Sequence, residues 1–387
     1  MTDLATEILA NLVSFDTTSR NSNIPLIEWV EDYLGRHGTA STRTYDPTGR
    51  KANLWATIGP KDVAGYVLSG HTDVVPVDGQ AWTRNPFELT EENGRLYGRG
   101  TTDMKGFLAV CLAKVPDMVA AKLARPIHLC FSHDEEVGCI GVRYALEKID
   151  ELAPATPLGC FVGEPTSMQV VVAHKGKHNY RATVTGRPCH SSLAPRGVNA
   201  IDAAAELILA IKAIEKRLER EGRRDPLYDI QHSTAHTGTI QGGTILNIVP
   251  EACSFVFEFR MLPGDDHKPL EDELRAYARD VIEPWMKAID PATGIEIELI
   301  TGMPGFDTAP EEDVVALSKR FAGRNDHAKV AYGTEAGLFV AMAGIPAVVV
   351  GPGAIAQAHT PDEWIEKAEL DRCGTFIDHL IRHCEIA

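Results

Sequence analysis

Apolar residues at the start of the chain follow a helical period, and later they form short continuous runs. Residues 3–13 and 24–34 carry apolar side chains three or four positions apart, which predicts two amphipathic helices. Five later runs are rich in Val, Leu and Ile, and runs of this length indicate strands that are buried on both faces. They are residues 53–58, 65–69, 127–132, 158–162 and 346–350.

Helical stretches separate these apolar runs. Residues 107–119 and 142–149 have helical spacing and lie between predicted strands. Strands that alternate with helices are typical of α/β proteins. We therefore expect an α/β domain with a mixed, largely parallel sheet that is flanked by helices.

A block in the middle of the chain has a different pattern. From about residue 175 to 288, a segment of alternating polarity precedes a long helical stretch, two more strand candidates and a further helix. This order predicts a small α+β unit. The α/β pattern resumes at residues 294–300. The expected domains are therefore a discontinuous first domain at 1–175 and 289–387, and an inserted domain at 176–288.

The composition narrows the classes of protein to consider. Of the 387 residues, 44% are hydrophobic and 24% are charged, which is ordinary for a globular protein and excludes a fibre or a disordered chain. The net charge of −16 would repel phosphate backbones. We therefore expect no nucleic-acid partner.

The sequence also lacks the features of export and of membrane insertion. The first 15 residues include Asp3 and Glu7 but no Lys or Arg, so we do not expect them to form a signal peptide. No apolar run approaches the roughly 20 residues that span a bilayer. The eight cysteines form no CxxC pair. We expect them to be reduced thiols in a cytoplasmic protein that has no membrane partner.

Acidic and imidazole groups follow the predicted strands in a regular order. His71 and Asp73 follow the run at 65–69, and Asp103 lies in a glycine-rich stretch just before a helix. In open α/β sheets, sites gather at the carboxyl ends of the strands. We therefore expect these groups to converge in one crevice. The other members are Glu135 and Glu136 after 127–132, Glu164 after 158–162, and His359 after 346–350.

A crevice with this many carboxylates needs a positive counter-charge, because neighbouring like charges disfavour ionisation. Divalent metal ions can supply that charge. Two imidazoles and three carboxylates, one of them bridging, suit a pair of zinc ions. Such a pair can hold a hydroxide and polarise a carbonyl group. The residues leave the choice between zinc, cobalt and manganese open, since these ions differ more in affinity than in the ligands they require.

Three stretches resemble the dinuclear zinc metallopeptidases of the M20 family, and the resemblance covers nearly the whole chain. These stretches are residues 69–76, residues 98–106 and the Asp-Glu-Glu at 134–136. The resemblance implies a zinc-exopeptidase-like catalytic domain and an inserted domain that acts as lid and dimerisation domain. Four other stretches are similar to the branch of the family that deacetylates N2-acetyl-L-ornithine: residues 186–200, 238–250, 332–339 and 351–363.

The resemblance implies a role for each metal-site residue. His71 and Glu164 would bind one zinc ion. Glu136 and His359 would bind the second, and cobalt could substitute. Asp103 would bridge the two ions, and in this family a cis peptide often follows that residue.

The resemblance also implies residues for catalysis and substrate binding. Asp73 would hold the imidazole of His71, and Glu135 would be the general base. His190 would reach the active site of a partner subunit in a homodimer and stabilise the oxyanion. Asn247 and Arg260 would contact the substrate, although a turn residue and a surface ion pair are the alternatives for these two positions.

The implied function is hydrolysis of N2-acetyl-L-ornithine to L-ornithine and acetate, in arginine biosynthesis, by a metal-bridged water that Glu135 activates. One alternative is a relative with the same metals that acts on succinyl-diaminopimelate, another N-acyl amino acid or a dipeptide. A second alternative is a metal-binding or assembly protein on an inactive peptidase scaffold. The presence of both Asp103 and Glu135 favours an active enzyme over that second alternative.

Overall fold

The computed structural model describes residues 2–385, and two compact units divide this part of the chain. The first unit contains the chain up to Ala173, Phe306–Lys329 and the chain from Thr334 onwards. The second unit contains His174–Gly305 and Val330–Gly333. Each unit has its own cluster of buried apolar side chains, so each has its own core.

Within residues 2–385, sixteen strands form three sheets. In chain order they are β1 (Ser41–Tyr45), β2 (Ala52–Ile58), β3 (Tyr66–His71), β4 (Thr90–Glu92), β5 (Arg95–Tyr97), β6 (Ile127–Ser132), β7 (Gly159–Val162), β8 (Val171–His174), β9 (Gly176–Thr185), β10 (Thr234–Gly242), β11 (Ala252–Met261), β12 (Gly294–Met303), β13 (Phe306–Asp307), β14 (Ala328–Val330), β15 (Ala347–Val349) and β16 (Trp364–Glu366).

The described chain also contains twelve α-helices. They are α1 (Thr2–Ser14), α2 (Ile24–Arg36), α3 (Lys105–Ala113), α4 (Val115–Ala120), α5 (Gly141–Leu146), α6 (Ile149–Leu152), α7 (Ala200–Glu221), α8 (Lys268–Tyr277), α9 (Glu283–Ile289), α10 (Asp313–Ala322), α11 (Ala336–Ala343) and α12 (Lys367–Cys384).

The first unit is built on a mixed sheet of nine strands. Its order is β1-β2-β6-β3-β7-β15-β8-β13, and β14 pairs with β8. Strand β3 runs parallel to both β6 and β7, and β15 runs parallel to β7, whereas β2 is antiparallel to β6. Every residue of β3, β6 and β7 is buried, as their continuous apolar runs predict. The predicted α/β fold is confirmed.

Two predicted helices are interrupted in the structure, in each case near a proline. The helix expected at 107–119 is divided into α3 and α4, and a proline lies in the first turn of α4. The further helix expected at the end of the middle block is divided into α8 and α9 by a π-helical turn, Ala278–Ile282, and α9 also has a proline in its first turn. Proline lacks an N–H group and is tolerated only where a helix begins.

The second unit is a four-stranded antiparallel sheet with the order β10-β11-β9-β12, and α7 packs on it. Alternate residues of β11 are buried, so this strand presents one face to the core. Asn199 caps the start of the long helix α7, and its side chain accepts hydrogen bonds from the backbone N–H groups of Ile201 and Asp202.

Strand β12 lies in a different sheet from the one expected. The sequence pattern assigned residues 294–300 to the resumed α/β domain, but β12 pairs with β9 along most of its length. The chain therefore returns to the first unit at Phe306. The sequence did not show which strand β12 pairs with, because a short run in which polar and apolar residues partly alternate suits the edge of either sheet.

Two further features of the described chain bear on the sequence analysis. No helix among residues 2–385 is long and apolar enough to cross a membrane. All eight cysteines are thiols rather than disulfides, and seven of them are buried.

The core of the second unit generates a stability prediction. Phe257 on β11 is buried, and its ring stacks on that of Tyr180 with the centroids 5.1 Å apart. We expect Phe257→Ala to lower the free energy of unfolding of this unit by about 3–5 kcal/mol, because the truncation leaves a cavity in close-packed surroundings. Equilibrium denaturant unfolding measures the change. Val281→Ala, at a half-exposed position, is the control and should change it by less than about 0.5 kcal/mol. A loss below about 1 kcal/mol for Phe257→Ala would contradict close packing at this position.

Candidate metal centre

Four of the predicted metal-site residues lie where three neighbouring parallel strands end. His71 is the last residue of β3, Glu135 and Glu136 lie just beyond β6, and Glu164 lies two residues beyond β7. Because β6, β3 and β7 are adjacent and parallel, their carboxyl ends meet at one edge of the sheet. Strand order thus brings together residues that are far apart in sequence.

Asp103 lies between two histidines and faces one with each carboxylate oxygen. Its Oδ1 is 3.1 Å from Nε2 of His71, and its Oδ2 is 3.1 Å from Nε2 of His359. The peptide bond after Asp103 is cis. Nε2 of His359 also lies 3.1 Å from Oε2 of Glu136, and Nε2 of His71 lies 3.8 Å from Oε1 of Glu164. This arrangement gives two imidazole–carboxylate clusters that share Asp103.

The donor atoms are close enough to coordinate metal ions. Two groups of three residues have ligand atoms that all lie within 4.8 Å of one another. One group is His71, Glu135 and Glu164, and the other is His71, Asp103 and Glu136. Buried Oε1 atoms of Glu136 and Glu164 accept no hydrogen bond within the described chain. Buried carboxylate oxygens that lack a donor are costly unless a cation contacts them.

The tautomer of His71 also fits a metal ligand. Its Nδ1–H donates to the backbone carbonyl of Asp73 at 2.9 Å. In the neutral ring, Nε2 therefore carries a lone pair and faces the Asp103 carboxylate. Two acceptors at this distance need a proton or a cation between them. The residues therefore fit a divalent cation, for which neutral imidazole and carboxylate are suitable ligands.

The pKa values show how much charge is concentrated here. Burial raises the pKa values of Glu136 and Glu164, and the carboxylate of Asp103 raises both further. Burial also raises the pKa of Glu135 to about 8. Hydrogen bonds to Asp103 and Glu136 raise the pKa of His359 to about 10. Without a metal ion the cluster therefore retains protons, and metal binding would release them.

The carboxylate of Asp73 has a different contact from the expected one. It lies 3.7 Å from the imidazole of His71, which is held instead by the backbone carbonyl of Asp73. The carboxylate accepts hydrogen bonds from Ser19 Oγ at 2.7 Å and from the backbone N–H groups of Glu135 and Glu136 at 3.1 and 3.3 Å. Asp73 therefore positions the turn that carries these two glutamates.

Glu135 has a neighbour that the sequence analysis did not identify. The buried thiol of Cys139 donates to Oε1 of Glu135 at 3.2 Å. The same segment folds back on itself, since the backbone N–H groups of Gly138 and Cys139 donate to the carbonyl of Glu135. These contacts fix the direction of the Glu135 side chain.

Three of the predicted residues belong to the second unit. His190 is exposed and pairs with Ile248 in an isolated bridge, and the N–H of Ser191 donates to the carbonyl of Asn247. His190 and Asn247 thus lie on adjacent segments. Arg260 donates through Nε to Glu258 at 2.9 Å, so the ion pair considered as its alternative role is present.

Sequence reasoning did not identify two buried polar contacts that support the site. Ser19 donates to Asp73, and the buried carboxylate of Glu335 accepts hydrogen bonds from Ser69 on β3 and Ser132 on β6. Glu335 lies in a stretch noted for its resemblance to the family. Only its burial, which the sequence does not show, distinguishes it from an ordinary surface glutamate.

Comparison with known proteins agrees with this description. The model of peptidase family M20/M25/M40 matches residues 67–383. A curated relative, acetylornithine deacetylase of Yersinia pseudotuberculosis, is 36% identical over 95% of this chain and 92% of its own length. That identity extends over both units.

Solved structures show the same fold. A metallo-carboxypeptidase of the M20 family from Sulfolobus solfataricus matches with a TM-score of 0.76 at 19% identity and 98% coverage of each chain. A dinuclear metal binding peptidase of the M20 family from Bacillus subtilis matches with a TM-score of 0.67 at 14% identity, again over 98% of each chain. On these matches the chain belongs to peptidase family M20/M25/M40 and is a hydrolase.

Proposed function

We propose that this hydrolase binds two divalent metal ions, zinc in the first instance, and converts N2-acetyl-L-ornithine to L-ornithine and acetate. The position of Asp103 carries the proposal, because its two oxygens each face a different histidine at 3.1 Å. A carboxylate so placed can bridge two ions. The similarity to an acetylornithine deacetylase, at 36% identity, supports the choice of substrate.

The proposed ligands divide into two groups around Asp103. His71 and Glu164 would hold one ion, and Glu136 and His359 would hold the other. When bound, the two ions would supply Lewis acidity for the amide carbonyl and lower the pKa of an attacking water. The protein's contribution is to hold these five buried or half-buried ligand side chains in place.

Glu135 is the proposed general base. In the metal-free cluster, burial raises the pKa of Glu135 to about 8. Bound cations would favour its ionised form, which can take a proton from water and return it to the leaving amine. The thiol of Cys139 and the turn at Gly138 would hold the carboxylate in the required direction.

His190 is proposed to stabilise the oxyanion that forms on the substrate carbonyl. The backbone N–H of Ser192 donates to its Nδ1 at 3.2 Å, so the proton of the neutral ring lies on Nε2. That nitrogen is therefore a hydrogen-bond donor, as an oxyanion site requires. Asn247 and Arg260 are proposed to contact the substrate from the same unit.

We further propose a homodimer that forms through the second unit. Strand β10 is an edge of its sheet, and exposed edges favour pairing with another chain. Large apolar side chains are exposed on β10, on the loop that follows it and on α7, and Leu246 is 98% exposed. The others are Leu209, Ile240, Ile245 and Ile248. Grouped apolar exposure of this kind is typical of a protein–protein contact.

The substrate is tested directly by kinetics. We expect the zinc-loaded protein to hydrolyse N2-acetyl-L-ornithine with a kcat/KM in the usual enzyme range of about 10⁴–10⁸ M⁻¹s⁻¹, and the metal-free protein to be inactive. Succinyl-diaminopimelate, other N-acyl amino acids and dipeptides serve as comparison substrates. If the protein hydrolyses one of these compounds faster, that compound and not N2-acetyl-L-ornithine is the substrate. Inactivity of the zinc-loaded protein towards all of them would refute the proposed hydrolysis of N-acyl amino acids and dipeptides.

The role of Glu135 has its own test. We expect Glu135→Gln to lower kcat by at least about 10²–10⁴-fold, because the amide cannot accept the proton, while metal content stays unchanged. Metal analysis of the purified variant accompanies the rate measurement. Glu147→Gln is the control at an exposed position after α5 and should retain full activity. Near-normal turnover of Glu135→Gln would exclude Glu135 as the base.

The contribution of His190 across a dimer can be separated from the contribution of Glu135. We expect His190→Ala alone to lower kcat without loss of metal. In mixed dimers of His190→Ala and Glu135→Gln, one of the two sites should combine an intact Glu135 with an intact His190 from the other subunit. Activity should therefore reappear after subunits are mixed. Mixed dimers with no recovered activity would show that His190 does not act across the interface.

A further inference from the structure

The carboxylate of Glu363 is the centre of a buried set of hydrogen bonds that the proposed reaction does not use. Its side chain is fully buried. Oε2 accepts from Nη1 of Arg99 at 2.7 Å and from the backbone N–H of Gly100 at 2.9 Å. Oε1 accepts from the backbone N–H groups of Thr102 and Asp103 at 2.9 and 3.0 Å. Four donors saturate both oxygens.

A second branch leads from the same arginine to His359. Nη2 of Arg99 donates to Oε1 of Gln80 at 2.5 Å. The side-chain amide of Gln80 then donates to the backbone carbonyl of His359 at 2.9 Å. His359 has a φ of +60°, a left-handed conformation that non-glycine residues adopt only where neighbouring contacts hold it. The carbonyl contact from Gln80 is such a contact.

The two branches end on the two residues that share the 3.1 Å contact in the metal centre. One holds the backbone of Asp103, and the other holds the backbone of His359. We infer that Glu363, Arg99 and Gln80, named here the Glu363 network, position Asp103 and His359 for metal binding. They are positioning residues, since none of them is among the proposed ligands. This inference rests on the proposed metal pair.

The chemistry of Glu363 explains why a carboxylate is needed at this position. Glutamine would keep the shape of the side chain but replace one oxygen by an NH₂ group, which donates instead of accepting. Two of the four donors would then face another donor. The backbone of residues 100–103 would have to move, and Asp103 would move with it. Groups that orient metal ligands typically change metal affinity by 10–100-fold when they are removed.

Two substitutions separate the two branches. Gln80→Ala removes the contact to His359, a proposed ligand of one ion, and the acceptor of Arg99 and Trp82, but it leaves the four donors on Glu363 in place. It should therefore weaken binding of one zinc equivalent by about 10-fold or more and leave the other unchanged. Glu363→Gln disturbs Asp103, the proposed bridge, so it should weaken both equivalents. The matched control is Glu366→Gln, because Glu366 is half-exposed and its carboxylate lies 3.8 Å from Arg95, outside the Glu363 network. Its two affinities should equal those of the parent.

The experiment titrates the metal-free full-length protein with zinc in competition with a chromophoric chelator, which reports two dissociation constants without any activity measurement. Thermal unfolding of each metal-free variant is recorded in parallel. If the Glu363 network serves only folding, the substitutions should lower the midpoint of unfolding and leave both zinc dissociation constants within about threefold of the parent values. That result in either folded variant overturns the inference. If Glu363→Gln does not fold, Gln80→Ala decides alone, because its side chain is only half-buried.

The parent protein distinguishes this inference from the proposed function. A parent that binds fewer than two zinc equivalents would refute the metal pair and the inference with it. A parent that binds two equivalents, with variants that bind them equally well, would refute the inference and leave the proposed function intact.

Discussion

The accumulation of negative charge around Asp103 is the constraint to which the rest of the first unit responds. Four carboxylates, those of Asp103, Glu135, Glu136 and Glu164, share one enclosed region with two imidazoles. Burial and mutual repulsion both favour protonation of the glutamates, and their pKa values are raised accordingly. Such a group is stable only with protons or with metal cations among the carboxylates. Without cations, the free-energy cost of holding these buried carboxylates close together is high. Contacts that do not depend on the cations must therefore keep the geometry of the site.

Those contacts come from the backbone as much as from side chains. Asp73 receives the N–H groups of Glu135 and Glu136, and Glu363 receives the N–H of Asp103. In each case a buried carboxylate holds the main chain of a residue in the candidate metal centre, and the side chain of that residue is left available for its proposed role as a ligand or as the base. The parallel strands β3, β6 and β7 provide the rigid part of this arrangement. The loops are then fixed to the strands by carboxylates that accept hydrogen bonds.

The sequence was informative where a residue's neighbours along the chain determine its environment. Continuous apolar runs identified β3, β6 and β7, and the polar residues just beyond them are those found at one edge of the sheet. The sequence was uninformative where pairing decides. Strand β12 was assigned to the wrong unit because its pattern of apolar and polar residues does not show which strand it pairs with. In the structure it pairs with β9. Prolines near the starts of α4 and α9 interrupted helices whose apolar period continues across the break.

The supporting residues were hidden from the sequence for a different physical reason. Glu363 and Asp103 lie in segments far apart along the chain, and their contact is between a side chain and a backbone N–H, which every residue type except proline possesses. The residue types at 100–103 therefore do not indicate that their backbone N–H groups donate to a buried carboxylate. The same holds for the carbonyl of His359 and for the turn that Asp73 holds. A metal ligand is recognisable because few side chains can serve, whereas the group that orients it acts on the part of the chain that all residues share. The ligands of a site of this kind can therefore be inferred from sequence before the residues that make them effective.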